Sequence, residues 1–173
     1  MIKFLNNFEK SISLFKNFNK YCLLFVMIFI DLIFLFIISL SVTLIIGEEA
    51  FEVDFLIGQS LVDIFFITVI FAPIIETLIF QFLIIESILF LFKKLELSNS
   101  LFASVIISGV FFGISHSYNI YYVLVTILLG LLLGIFYLIA KKHTSMNAFL
   151  TVCIVHSCSN LVGFIVDDWL KLM

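Results

Sequence analysis

Four polar residues lie in apolar stretches of this sequence, at spacings that suit catalysis within a membrane. Glu76 comes three residues after Pro73, the only proline in the chain. His116 ends a second apolar stretch, and a third stretch carries His156 and Asn160. The last two are four residues apart and so share one face of a helix. An ionised side chain at the centre of a bilayer costs about 2.5–3.5 kcal/mol on insertion scales, and such residues usually mark functional sites.

A carboxylate and two imidazoles can activate water in two ways. Both histidines could bind a metal such as Zn²⁺, with Glu76 as the third ligand or as the base that deprotonates the bound water. Alternatively, Glu76 and His116 activate water without a metal, while His156 and Asn160 stabilise the oxyanion of a tetrahedral intermediate. Either route hydrolyses a peptide bond. The sequence has no HExxH motif, so any metal site must be assembled from separate helices.

Two other interpretations of these residues stay open. Polar groups inside a membrane also join helices by hydrogen bonds, and transporters use carboxylates and histidines as proton or ion relays. The remaining polar residues are predicted to be structural. Asp31, Asp63 and Glu86 are expected to face the bundle or to reach the membrane surface, His143 is expected to be solvated in a loop, and Cys153 and Cys158 are expected to fill small apolar spaces.

Composition predicts an integral membrane protein. Of 173 residues, 64% are hydrophobic and only 12% are charged, against about a quarter charged in a soluble domain. Runs of Leu, Ile and Phe without strict alternation favour helices over a barrel. The fold class is therefore an all-α polytopic membrane protein with about five transmembrane helices. A net charge of −3 gives no reason to expect a nucleic-acid partner, and three cysteines in apolar segments argue against a disulfide framework.

The predicted spans have one irregular member. The apolar stretch 55–92 would be about 57 Å long as a single helix, nearly twice the hydrocarbon thickness. We expect it to break or kink at Pro73, with 55–66 near the interface. Residues 1–54 are predicted to hold an amphipathic interfacial helix, the first span and an acidic loop, and residues 55–173 the catalytic core. The spans are expected at about 21–46, 55–92, 101–118, 120–140 and 147–166.

Charge predicts the orientation of these spans. All the lysines except Lys171 fall on one side of a five-span arrangement, so the positive-inside rule places the N-terminus in the cytoplasm of a cell-membrane protein. Measured from the lysine-rich side, Glu76, His116 and His156 each lie about 21–26 Å along their helices. The three residues are therefore predicted to meet at one depth.

The chain resembles the CPBP family of intramembrane proteases, also called the Abi or CAAX-protease-like family. That family has a proline followed by an EExxxR motif, then FxxxH, a glycine-containing helix, and HxxxN. The counterparts here, within about residues 60–165, are Pro73 and Glu76, Phe112 to His116, Gly130 with Gly134, and His156 to Asn160.

The resemblance implies a CAAX-protease-like helical bundle and an endopeptidase of the metalloprotease or glutamate type. It assigns catalytic roles to Glu76, His116, His156 and Asn160. Members cleave prenylated CaaX proteins or process or resist bacteriocins, so the implied partners are the lipid bilayer and a membrane-embedded or lipidated peptide or protein. The substrate and the oligomeric state stay open.

The chain departs from the family in the first motif. Thr77 replaces the second glutamate and Gln81 replaces the arginine. Gln81 cannot hold a fixed positive charge near Glu76. An alternative function is therefore that of a catalytically degenerate member acting as a bacteriocin-immunity or partner-binding membrane protein.

Overall fold

A computed structural model describes residues 2–47 and 58–169, with side chains for 8–47 and 58–166. Every regular element in these ranges is helical. The acidic residues predicted to form a loop, Glu48 to Asp54, lie outside the described residues. The helices are α1 (Ile2–Ser13), α2 (Lys20–Ile45), α3 (Leu61–Lys94), α4 (Ser100–Ser115), α5 (Ile120–Lys142) and α6 (Ala148–Gly163), which continues as a π-helical end, Phe164–Trp169.

Four of these helices are long and apolar enough to cross a membrane: α2, α3, α5 and α6 with its extension to Val166. The remaining predicted span, at about 101–118, corresponds to α4, which is apolar but shorter, with 16 residues, or about 24 Å. The protein is thus a multi-pass helical membrane protein, and the predicted fold class is confirmed. The division at residue 54 stays a prediction.

Helix α3 does not break at Pro73, because helical turns continue on both sides of the proline, and the predicted kink there stays a prediction. The chain widens instead into two π-helical stretches, Phe65–Phe71 and Thr77–Ile84. Pro73 lies in the first turn of the short α-helical piece between them, Ala72–Glu76. The widened turns accommodate the ring without ending the helix. With 34 residues, or about 51 Å, α3 must tilt or extend beyond the hydrocarbon.

Helices α4 and α5 pack closely through glycines. A Cβ atom added at Gly113 would lie 2.2 Å from Ile127 Cγ1 and 2.7 Å from its backbone nitrogen, and one at Gly130 would lie 2.9 Å from Phe112 Cβ. Gly130 is therefore a position of close contact between α4 and α5. Gly134 is different, since an added Cβ there would be 3.5 Å from its nearest neighbour, at an ordinary contact distance.

The N-terminal segment packs on the bundle rather than standing apart from it. Ile12 of α1 is buried in the common core, and Glu9 pairs with Lys142 at 2.8 Å.

The prediction that His143 is solvated is wrong. Its Nδ1 accepts a hydrogen bond from the Ser145 N–H at 3.1 Å, so Nε2 carries the hydrogen and donates to the Phe18 carbonyl at 2.8 Å. The segment after α1 covers this imidazole, which sequence spacing alone could not indicate.

Candidate active site

The structure brings Glu76, His116 and His156 together from three separate helices. His116 Nε2 lies 3.4 Å from Glu76 Oε1, and His156 Nε2 lies 3.6 Å from Glu76 Oε2. The side chain of Glu76 is 21% exposed, that of His116 15% and that of His156 3%. The carboxylate is therefore flanked by an imidazole on each oxygen, with partial access left at Glu76 and His116. The sequence predicted that these three residues meet at one depth, and in the structure each histidine contacts one oxygen of Glu76.

Glu76 occupies an unusual place in its helix. It is the last residue of the α-helical piece Ala72–Glu76, between the two π-helical stretches of α3. Short π-helical insertions shift the residues that follow them around the helix, and they are frequent at functional sites. The same widened turns that accommodate Pro73 thus help to set the direction of the Glu76 side chain.

The backbone at the end of α4 fixes the tautomer of His116. Its Nδ1 lies 2.8 Å from the carbonyl oxygen of Phe112, which can only accept a hydrogen bond. Nδ1 therefore carries a hydrogen, and the Nε2 of a neutral imidazole presents its lone pair to Glu76. The Tyr122 ring stacks on this imidazole with centroids 6.1 Å apart and an interplanar angle of 18°. His116 is thus held in place to accept or return a proton at Nε2.

The Phe112 ring packs against both imidazoles. Its ring centroid lies 4.6 Å from that of His116 and 5.8 Å from that of His156, and the phenyl group is almost fully buried. His156 has no hydrogen-bond partner at Nδ1 among the described residues. Its contact with Glu76 is therefore the polar interaction that orients this ring.

Asn160 lies one helical turn beyond His156, on the same helix α6. Its Nδ2 donates a hydrogen bond of 2.8 Å to the carbonyl oxygen of Thr68, in the first π-helical stretch of α3. This bond joins α6 to α3 next to the Glu76 cluster. In this structure the side-chain amide of Asn160 is therefore hydrogen-bonded to the backbone of α3.

Replacing Asn160 with alanine should loosen the junction between α3 and α6. Because the Thr68 carbonyl would lose a partner within the bundle, we expect the free energy of unfolding to fall by about 1–2 kcal/mol. Thermal unfolding in detergent would measure the change. Asn147→Ala, which removes the side-chain cap of α6 at the other end, is the control for a general loss of helix stability. An Asn160→Ala protein as stable as the wild type would contradict this role.

The two departures from the family motif are both fully buried. Thr77 Oγ1 and both amide atoms of Gln81 have no hydrogen-bond partner among the described residues. They lie four residues apart on the second π-helical stretch, directly after Glu76. The structure therefore places neutral polar groups where the family pattern has a carboxylate and a guanidinium.

Sequence reasoning missed two aromatic neighbours of the cluster. Tyr118 lies 6.5 Å from the His116 ring, and the rings of Tyr118 and Tyr122 form a T-shaped pair 5.1 Å apart. The available signal was a tyrosine in the turn directly after an intramembrane histidine and a second one in the first turn of the next helix, since such a turn returns to the same end of the bundle. Glu86 proves to be a structural residue, bonded to Tyr137 Oη and to Lys141.

The donor set at the site has the chemistry of a zinc site, two imidazole nitrogens and a carboxylate. In the structure the two imidazoles approach different oxygens of the Glu76 carboxylate. Within residues 2–47 and 58–169, no group of three or more His, Cys, Asp or Glu side chains is arranged to hold a metal ion. The chemistry that the described geometry supports directly is proton transfer among Glu76, His116 and His156.

A multi-pass helical bundle with a carboxylate between two histidines defines a membrane protein with a site suited to activating water. Comparison with family models identifies the family. The model described as "Type II CAAX prenyl endopeptidase Rce1-like" matches residues 58–162, which is more than half of the chain, and the chain belongs to this family. The match covers Glu76, His116, His156 and Asn160. Among curated proteins and among solved structures, no match was found.

Proposed function

We propose that the chain is an intramembrane endopeptidase in which Glu76 activates water for peptide hydrolysis. The observation that carries the proposal is the placement of the Glu76 carboxylate between the Nε2 atoms of His116 and His156, at 3.4 and 3.6 Å. Both distances exceed that of a direct charge-assisted hydrogen bond, as is common for catalytic groups before substrate binds.

The proposed reaction uses these groups in order. The Glu76 carboxylate takes a proton from a water molecule as its oxygen attacks the carbonyl carbon of the scissile bond. His156, with Asn160 released from the Thr68 carbonyl, stabilises the resulting oxyanion. His116, which accepts the proton from Glu76 at Nε2, delivers it to the amine of the leaving peptide. The peptide bond breaks, and the proton taken from water ends on the new amino terminus.

The proposed substrate is a lipidated or membrane-embedded peptide or protein. The family description names prenyl endopeptidases, and the structure has an apolar groove of about 540 Å³. It runs between the start of α3 and the end of α6, and Leu61, Phe65, Leu161 and Phe164 line it. Leu161 directly follows Asn160 on α6, the helix that also carries His156. We also propose that the protein lies in the cell membrane with its N-terminus in the cytoplasm.

Cleavage by the purified protein in lipid vesicles tests the proposal. Two synthetic peptides of identical sequence, one farnesylated at a C-terminal CaaX cysteine and one unmodified, are incubated with it and analysed by mass spectrometry. We expect a shortened product from the farnesylated peptide in the wild type and none in the Glu76→Gln variant. A metal chelator in a parallel sample measures metal dependence. No product from either peptide or from other membrane-embedded substrates would reject the proposal.

A second candidate function rests on Thr77 and Gln81. Both side chains are neutral, buried and without a hydrogen-bond partner among the described residues. The polar residues that follow Glu76 on α3 therefore differ from the family pattern. A non-cutting member that binds a partner, as in bacteriocin immunity, is consistent with this difference. For such a protein, Glu76→Gln would leave the cellular phenotype unchanged, whereas substitutions that disturb the bundle would abolish it.

A further inference from the structure

The middle of α2 carries a carboxylate that the proposed reaction does not use. Asp31 is fully buried, and it ends an inward-facing stripe with Leu23 and Met27 at four-residue steps. Its neighbours Phe29 and Ile33 are exposed. The family match begins at residue 58, so Asp31 lies outside the part of the chain that the family describes.

The partner of Asp31 lies on the helix that carries His156. Ser159 Oγ donates a buried hydrogen bond to Asp31 Oδ2, and it also lies 3.2 Å from the Val155 carbonyl oxygen of its own helix. Ser159 is three residues after His156 and directly before Asn160, so it belongs to the turn that carries both candidate site residues. This hydrogen bond thus joins α2 to α6 within one turn of His156.

The second carboxylate oxygen of Asp31 lowers the stability of the fold. Oδ1 is buried and has no partner in the described part of the chain, and a buried polar atom without a partner is destabilising. Neutral side chains could join two membrane helices without that cost. A carboxylate in such a place is typical of a residue that serves a site rather than general stability.

We propose that Asp31 is a positioning residue for the hydrolysis under "Proposed function", on which this inference rests. Through Ser159 it fixes the rotation of α6 about its axis, so that His156 Nε2 faces Glu76 Oε2. This matters because His156 has no hydrogen bond at Nδ1 among the described residues to hold its ring independently. A small rotation of α6 would carry His156 away from the carboxylate, and catalytic groups must be held within about 0.5 Å of their working geometry.

Kinetics of four variants test the proposal: Asp31→Ala, Ser159→Ala, the double variant and Asp31→Asn. Each alanine variant should lower kcat about tenfold with KM unchanged, and the double variant should be no slower than either single one, because all three remove the same link. Asp31→Asn should restore most of the rate, since its amide oxygen can accept the same hydroxyl hydrogen. Fully additive effects, or a wild-type kcat in both alanine variants, would overturn the proposal.

Matched controls separate this link from burial and charge in general. Ser104→Ala removes another fully buried serine, whose hydroxyl bonds only the Leu101 carbonyl of its own helix among the described contacts. Asp63→Ala removes an exposed carboxylate near the start of α3. Neither should change kcat. If the Asp31→Ala protein is not recovered in membranes, Ser159→Ala tests the proposal instead, because it is the smaller change.

Cysteine alkylation gives a readout that does not depend on activity. Cys153 is buried three residues before His156 on α6, with its sulfur 3.9 Å from the Pro73 carbonyl oxygen, whereas Cys22 on α2 is exposed. In membranes treated with a permeant maleimide, the Cys153-to-Cys22 labelling ratio should rise about tenfold in Asp31→Ala. It should stay at the wild-type value in Asp31→Asn and Ser104→Ala. An unchanged ratio in Asp31→Ala would overturn the inference. A raised ratio in a chain that cleaves nothing would show that Asp31 holds α6 in place, while rejecting the proposed function and with it the catalytic purpose of that contact.

Discussion

Glu76→Gln should lower kcat for peptide cleavage by at least about a hundredfold while leaving the protein level and its thermal stability unchanged. Glutamine has nearly the same shape as glutamate, so it preserves the packing between His116 and His156. It cannot take a proton from water, and general base catalysis contributes at least this factor. Single-turnover cleavage of a farnesylated reporter peptide by purified protein would measure the loss.

The control is Asp63→Asn, the same chemical change on the same helix α3. Asp63 is bonded to Ser60 at the exposed start of that helix, away from the Glu76 cluster, and its replacement should leave kcat within about twofold of the wild type, as expected for a surface substitution. An active Glu76→Gln enzyme would show that Glu76 is not the base. Loss of activity together with loss of folded protein would assign Glu76 a structural role instead.

Gly113→Ala should destabilise the bundle strongly, by about 3 kcal/mol, near the upper end for overpacking a tight contact. The new Cβ would lie within 3 Å of the backbone nitrogen and Cα of Ile127, and backbone atoms cannot rotate away as a flexible side chain can. Helices α4 and α5 would have to separate, and Phe112 and His116 would move with α4. Thermal unfolding in detergent, followed by circular dichroism, would measure the loss.

Gly134→Ala is the matched control, with the same change on the same helix pair. The added Cβ would be 3.5 Å from Val105, at an ordinary contact distance, so the midpoint temperature should change little. If both variants unfold alike, the stability cost comes from some general property of glycine in these helices. If neither is destabilised, the close approach at Gly113 is not a determinant of the fold.

Helix geometry explains why the centre of the site could be predicted from the sequence. A helix rises by a fixed distance per residue, so counting from the lysine-rich ends placed Glu76, His116 and His156 at one depth. The structure shows each histidine beside one oxygen of Glu76. Composition likewise sufficed for the fold class, because only helices or closed barrels satisfy backbone groups inside a bilayer.

Other features depended on rotation and tertiary contact, which spacing does not encode. Depth could not show that Asn160 donates to the Thr68 carbonyl, or that Asp31 points at Ser159. The sequence predicted that His143 is a solvated loop residue, because the segment that buries it and accepts its hydrogen bond contains Phe18, 125 positions away in the chain. Pro73 was expected to break or kink its helix, but the helix continues with π-helical turns on both sides of the proline, and no single-residue preference predicts those turns.

The most direct test of the central claim, that Glu76 makes this chain a protease, compares membrane-protein termini across a whole proteome. One strain would carry the wild-type chain and a matched strain Glu76→Gln at equal expression. We predict at least one new terminus, present only with the intact glutamate, on a membrane-embedded or lipidated protein. Identical termini under several growth conditions, together with a cellular phenotype that survives Glu76→Gln, would contradict catalysis and leave a binding protein built on a protease fold.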